Sequence, residues 1–131
     1  MSADTPDPSP KVVCIEDDHN ALDFIRLTLR DTGYTFIGIS DPREALEVLK
    51  RHTPDVVVLD IMMPDMSGWD VFRHLQAEER LRHVPVIVVT ARASQVDRIF
   101  GERVARVHAY LQKPFEAAHL RMAVRSALEA A

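Results

Sequence analysis

Runs of consecutive β-branched and apolar residues recur along the chain, and each of four ends on a polar signal. Val12-Val13-Cys14-Ile15 leads to Glu16-Asp17, and Val56-Val57-Val58-Leu59 leads to Asp60. Val86-Ile87-Val88-Val89 leads to Thr90, and the stretch from Val107 to Gln112, with Tyr110 and Leu111, leads to Lys113-Pro114. Unbroken apolar runs of this length suit strands buried on both faces, as in a parallel sheet. They predict strands over Lys11–Ile15, Asp55–Asp60, Val84–Thr90 and Val107–Leu111, with a further strand over Tyr34–Ile39. Between them the apolar spacing changes to that of a helix face. Leu22, Ile25 and Leu29 mark a first helix over Asp18–Asp31, which Gly33 is suited to end. Asp41-Pro42-Arg43-Glu44 opens a second helix, with an Asp cap, Pro in the first turn and Glu three residues after the cap. Ser67 caps a third that carries Trp69, Phe72 and Leu75, and Ser94 caps a fourth that carries Val96, Ile99 and Phe100. A fifth starts near Glu116 and holds Leu120, Val124, Ala127 and Leu128.

Strand and helix thus alternate five times, which argues for an α/β fold with helices on both faces of a parallel sheet and right-handed crossovers. The expected architecture is the flavodoxin-like (βα)5 doubly wound sheet with strand order 2-1-3-4-5. In such sheets ligands bind beyond the carboxyl ends of the strands, at the point where the order reverses. Here that point lies between the first and third strands, and Glu16, Asp17 and Asp60 fall on it.

The edge therefore gathers three carboxylates, a hydroxyl and an ammonium. Converging carboxylates repel one another and raise one another's pKa, which a hard divalent cation such as Mg²⁺ relieves with oxygen ligands. Asp60 ends the central strand and is the best-placed nucleophile toward phosphorus, giving an aspartyl-phosphate. Thr90 can donate a hydrogen bond to a phosphoryl oxygen, and Lys113 can pair with another as a point charge. Asp18, beside the first helix, reads instead as a helix cap.

Bulk properties narrow the context. At 131 residues the chain fits one compact domain, here residues 11–130, behind a disordered tail over 1–10 that holds three of the eight prolines. A net charge of −4 leaves no basic footprint for direct nucleic-acid binding. The thirteen Arg outnumber the three Lys but are scattered among twenty acids, as on a solvated surface. Cys14 is the single cysteine and is expected to be a buried structural thiol; with no signal peptide and no membrane span, a cytoplasmic setting is expected. The six histidines lack metal-ligand spacing. Met1 and the tail suit a natural N-terminus. The chain is expected to be either complete in itself or one domain taken from a longer protein.

The motifs together resemble the receiver domain of two-component response regulators. The resemblance covers about Lys11 to Leu128 and is carried by Val13-Cys14-Ile15-Glu16-Asp17-Asp18, by Leu59-Asp60 through Gly68-Trp69, by Thr90-Ala91, and by Tyr110-Leu111-Gln112-Lys113-Pro114-Phe115. It implies that Asp60 accepts a phosphoryl group from a sensor histidine kinase or phosphotransfer protein. It implies that Asp17, Asp60 and the Met62 backbone carbonyl hold Mg²⁺, with Glu16 bound through water. Thr90 and Tyr110 would be the switch pair, acting on the face of the fourth helix, fifth strand and fifth helix toward a downstream protein target. The Lys113–Pro114 bond would be cis, and Met62 and Arg92 would flank the approach of hydrolytic water. The domain would be no separate enzyme, catalysing only its own phosphorylation and dephosphorylation. A phosphorylation-dependent dimer belongs to the family's repertoire. Here Arg106-Val107-His108-Ala109 stands where Gly-Ala-Asp often precedes the strand-5 tyrosine, and the acids that many transcription-factor receivers use to dimerise are missing.

Two rival readings exist. A haloacid-dehalogenase-like phosphatase also uses a strand-end Asp with Mg²⁺, but it needs a second Asp two residues on as general acid, and Met62 stands there. A pseudo-receiver binding module usually lacks one of the acid, Thr or Lys positions, all of which this chain keeps.

Overall fold

The computed structural model describes residues 9–64, 66–91 and 107–130. One parallel sheet contains β1 (Lys11–Ile15), β2 (Thr35–Ile39), β3 (Val56–Asp60), β4 (Val86–Thr90) and β5 (Ala109–Gln112), in the order β2-β1-β3-β4-β5. Around it lie α1 (His19–Thr28), α2 (Ala45–His52), α3 (Gly68–Ala77) and a C-terminal helix (Ala117–Ala130). The predicted fourth helix, with Ser94, Val96, Ile99 and Phe100, lies outside the described residues, as do residues 1–8 of the expected tail.

Side chains alternate across a strand, so each apolar run feeds two cores. Val13, Ile15, Val57, Leu59, Val86 and Val88 pack with Leu49 of α2 and with Val71, Phe72 and Leu75 of α3. Val12, Cys14, Val56, Val58, Ile87 and Val89 pack on the other face, against Leu22 and Ile25 of α1 and Leu120, Val124 and Ala127 of the C-terminal helix. Every residue of β3 and β4 is buried, whereas β2 and β5 are edges and partly exposed. Each fully buried Val or Leu contributes about 1.5–3 kcal/mol relative to exposure, and this holds the strand ends in place. Cys14 is wholly buried, and burial, with the neighbouring Glu16 charge, pushes its thiol pKa well up. It is an inert packing residue.

Several element ends differ from expectation for local reasons. α1 stops at Thr28, whose hydroxyl donates to the Phe24 carbonyl at 2.7 Å. Asp31, not Gly33, is the first residue to turn left-handed, with φ 62°; Gly33 follows at φ 85° within the same turn. The Asp41 carboxylate is occupied by Arg43, accepting from its backbone N–H at 3.0 Å and from its guanidinium. Asp41 thus caps the turn as expected, but that turn is a 3-10 helix over Pro42–Glu44, with the Glu44 N–H on Asp41 O at 3.0 Å, and α2 proper starts at Ala45. β4 starts at Val86 because Pro85, which has no N–H, can only accept, taking the Val57 N–H at 3.0 Å.

Candidate functional site

The strand order reverses between β1 and β3. Parallel pairing sets Ile15 level with Leu59, Asp60 with Val89 and Thr90 with Gln112, so the residues at and just past these strand ends share one edge. The ladder extends one step beyond the strands. Glu16 N–H donates to Ile39 O at 3.0 Å, Ile61 N–H to Val89 O at 3.3 Å, and Lys113 N–H to Thr90 O at 2.8 Å. The backbone on which each side chain stands is therefore part of the sheet's hydrogen-bond network.

Glu16, Asp17 and Asp60 each bring a carboxylate oxygen within 4.8 Å of the others. Glu16 is 0% exposed and Asp60 2%. Their compensation differs. Glu16 Oε2 takes the Lys113 ammonium at 2.7 Å, and Oε1 accepts the Asp18 N–H at 3.2 Å. Asp60 Oδ1 accepts the Met62 N–H at 3.0 Å, but its Oδ2 is 3.7 Å from Lys113 Nζ, beyond hydrogen-bond range. Burial first, and the Glu16 charge second, push the Asp60 pKa up to about 7 against the partial relief from Lys113. Burial works to lower the Lys113 pKa, but the hydrogen bond to Glu16 and the charges of Glu16 and Asp60 outweigh it and hold the pKa above its ordinary value. Lys113 is thus a fixed cation in a pocket with an excess of negative charge.

Asp18 stands apart from this cluster in role. Its side chain caps α1, accepting from Asn20 N at 2.9 Å and Ala21 N at 3.5 Å. Thr90 is fully buried at the end of β4. Tyr110, opposite Val88 on β5, is turned inward at 5% exposure and lines a groove with Met62, Met63, Pro64 and Trp69. The Met62 side chain is 49% exposed on the rim of that groove. The Lys113–Pro114 peptide bond is cis. Arg92 lies outside the described residues. The structure thus gathers Glu16, Asp17, Asp60 and Lys113 in one pocket, with Thr90 at the end of the adjacent strand.

One residue of this site has no role in the sequence reading. Gly68, the first residue of α3, follows the Ser67 cap, whose hydroxyl accepts the Trp69 N–H at 3.2 Å. Gly68 N–H donates to Ile61 O at 3.0 Å, and a β-carbon on Gly68 would lie 2.2 Å from the Asp60 carbonyl oxygen. The available signal was a glycine at a helix start, where a residue with a side chain costs less entropy unless something approaches closely.

Comparison with known proteins agrees with this arrangement. The response regulator receiver domain model matches residues 12–125. The sensory transduction protein RegX3 of Mycolicibacterium smegmatis is 36% identical over 117 residues, 89% of this chain and 50% of that protein; the chain thus spans about half the length of this relative. The polar-differentiation response regulator DivK of Brucella ovis is 36% identical over 105 residues, 79% of this chain and 83% of DivK. Among solved structures, the receiver domain of a sensor histidine kinase from Pseudomonas aeruginosa, with a magnesium ion coordinated in its active site cleft, aligns with a TM-score of 0.82 and 29% identity. That alignment covers 92% of this chain and 98% of the other. The strand order, the acidic edge and the match over nearly the whole sheet lead to one conclusion: the chain belongs to the response regulator receiver domain family.

Proposed function

We propose that the chain is a phospho-switch whose Asp60 takes a phosphoryl group from the phosphohistidine of a sensor histidine kinase or phosphotransfer protein. The observation that carries this reading is the setting of Asp60. It ends the central strand, almost fully buried, with Glu16 and Asp17 within 4.8 Å and the Lys113 ammonium at 3.7 Å. In the transfer an Asp60 carboxylate oxygen attacks phosphorus. The new O–P bond forms as the P–N bond to imidazole breaks, and the imidazole keeps the electron pair and takes up a proton. Lys113 pairs with one phosphoryl oxygen and the Thr90 hydroxyl donates to another.

The residues fit a divalent cation. Three carboxylates face one ammonium among the described residues of the pocket, and hard oxygen donors of this kind suit Mg²⁺. Asp17, Asp60 and the Met62 carbonyl would hold it, with Glu16 joined through water. When bound, the ion screens the Asp60 charge from the phosphoryl oxygens. The similar Pseudomonas receiver carries magnesium in its cleft, which supports this assignment.

The receiver unit in this reading spans residues 11–130 and catalyses only its own phosphorylation and dephosphorylation. Its output is a change at the face of the predicted fourth helix, β5 and the C-terminal helix, read by a downstream protein. The setting is the cytoplasm; among the described residues no helix is long and apolar enough to cross a membrane. Incubation with acetyl phosphate and Mg²⁺, followed by intact-mass measurement, tests the reading. A gain of one phosphoryl unit that EDTA abolishes is expected, and no gain under saturating Mg²⁺ contradicts it.

A further inference from the structure

Two adjacent methionines follow the central strand and meet opposite surroundings. Met63 is packed in the core at 7% exposure, while the Met62 side chain is 49% exposed. Met62 is tied to Asp60 through its main chain, its N–H donating to Asp60 Oδ1 at 3.0 Å. Its side chain therefore hangs from the turn that holds the buried carboxylate, on the rim of the groove shared with Trp69 and Tyr110. Among the described residues the other strongly exposed sulfur is that of Met122, at 67%, on the C-terminal helix beside Thr32 and Tyr34 and off this groove. Cys14 is wholly buried with its thiol pKa pushed up, so it is closed to oxidants. The sulfur presented beside Asp60 is thus that of Met62.

We propose that Met62 is an oxidation site and that its sulfoxide shortens the life of a phosphoryl group on Asp60. The second half of this statement rests on Asp60 being the phosphoacceptor; the first half does not. The oxidant is hydrogen peroxide. A thioether lone pair attacks one peroxide oxygen as the O–O bond breaks. The S–O bond forms, and the other oxygen leaves as water after a proton transfer. Sulfur loses two electrons and peroxide gains them. A thioether is a weak acceptor that binds water poorly, whereas the sulfoxide is polar and its oxygen accepts strongly. At the rim beside Asp60 the reaction turns an apolar cover into a group that accepts a hydrogen bond from water and steadies it for attack on phosphorus. Methionine sulfoxide reductases remove the oxygen, so the change is reversible.

The test treats the full chain with hydrogen peroxide in EDTA, quenches with catalase and locates oxygen uptake by peptide mass. Met62 and Met122 should gain oxygen well before Met63. Each sample is then phosphorylated with acetyl phosphate and Mg²⁺, freed of donor and followed as phosphoryl mass decays. Peroxide should speed the decay several-fold in wild type and in Met122→Leu. It should leave the decay of Met62→Leu, a volume-conserving swap that keeps the fold, at its untreated rate. Methionine sulfoxide reductase should restore the slow decay as it removes the oxygen. Without peroxide, Met62→Gln, with a neutral polar side chain of similar length, should decay faster than Met62→Leu. A Met62 oxidised no faster than Met63 overturns the proposal, as does a Met62→Leu decay still accelerated by peroxide. An oxidised Met122→Leu that decays at its untreated rate also overturns it. If untreated wild type gains no phosphoryl mass, the phosphoacceptor reading fails and the lifetime half with it, while the peptide masses still decide the oxidation site.

Discussion

Gly68 and Asp60 are in backbone contact: a β-carbon at Gly68 would meet the Asp60 carbonyl oxygen at 2.2 Å and the Ile61 α-carbon at 2.7 Å. Both neighbours are main chain held by the sheet, so neither can yield cheaply. Gly68→Ala should therefore push the chain after Asp60 away from α3, costing about 1–3 kcal/mol of stability as overpacking does. Phosphorylation from acetyl phosphate should slow with it. Urea unfolding and the labelling rate check this, and a variant equal to wild type in both contradicts the positioning role of the contact.

Asp60 has a folded-state pKa of about 7 against an ordinary 3.8. Between these values the folded chain holds a proton that the unfolded chain has released. Stability from this group is therefore full below pH 3.8 and lost as pH rises through 7. The loss should be about 1–3 kcal/mol, below the full linkage, because Lys113 can relax toward the carboxylate as it ionises. Unfolding in EDTA from pH 4 to 8 measures it as the difference between wild type and Asp60→Asn. The asparagine variant should be the more stable at pH 8, and Mg²⁺ should stabilise wild type more than the variant. An Asp60→Asn protein less stable than wild type at pH 8 in EDTA would contradict the strained-carboxylate account.

The sheet was legible because burial on both faces demands unbroken apolar runs, and β1, β3 and β4 carry them. The acidic edge followed from topology, since Asp60 is the last paired residue of β3 and Glu16 sits one step beyond the last paired residue of β1. What escaped was set by contacts distant in sequence or by local competition. The Lys113–Glu16 bond joins residues 97 positions apart. The Asp41 cap was readable, but not that the turn it opens is a 3-10 helix over Pro42–Glu44, closed by the Glu44 N–H on Asp41 O at 3.0 Å. Thr53 ends α2 with φ 44°, a left-handed position that a β-branched residue does not advertise.

Switching should run from Asp60 through Thr90 to Tyr110. Thr90 is fully buried at the end of β4, and Tyr110 is packed inward on the neighbouring strand. A shift of Thr90 toward a phosphoryl oxygen changes the space open to the ring and biases its inward position, a population shift of a few kcal/mol at most. NMR spectra with and without beryllofluoride should show perturbation at Thr90, at Tyr110 and along the C-terminal helix. Shifts that stay within the Asp60 pocket would contradict this route.

The phosphorylated form should be long-lived. Met62 lacks a strong hydrogen-bonding group to orient water, and its apolar body is exposed at the rim of the groove beside the pocket. Arg92 offers donors only, so it cannot accept a proton from the attacking water. The Met62→Asn, Arg92→Glu double variant should lose its phosphoryl group several-fold faster than wild type in a Mg²⁺-containing decay assay. Equal decay would remove these two side chains from control of the lifetime.

The most direct measurement of the central claim compares the intact mass of wild type and Asp60→Asn after identical incubation with acetyl phosphate and Mg²⁺. The account predicts one added phosphoryl unit on wild type and none on the variant, with the variant's spectra otherwise those of a folded chain. A phosphoryl unit gained by Asp60→Asn would place the acceptor elsewhere and contradict the account.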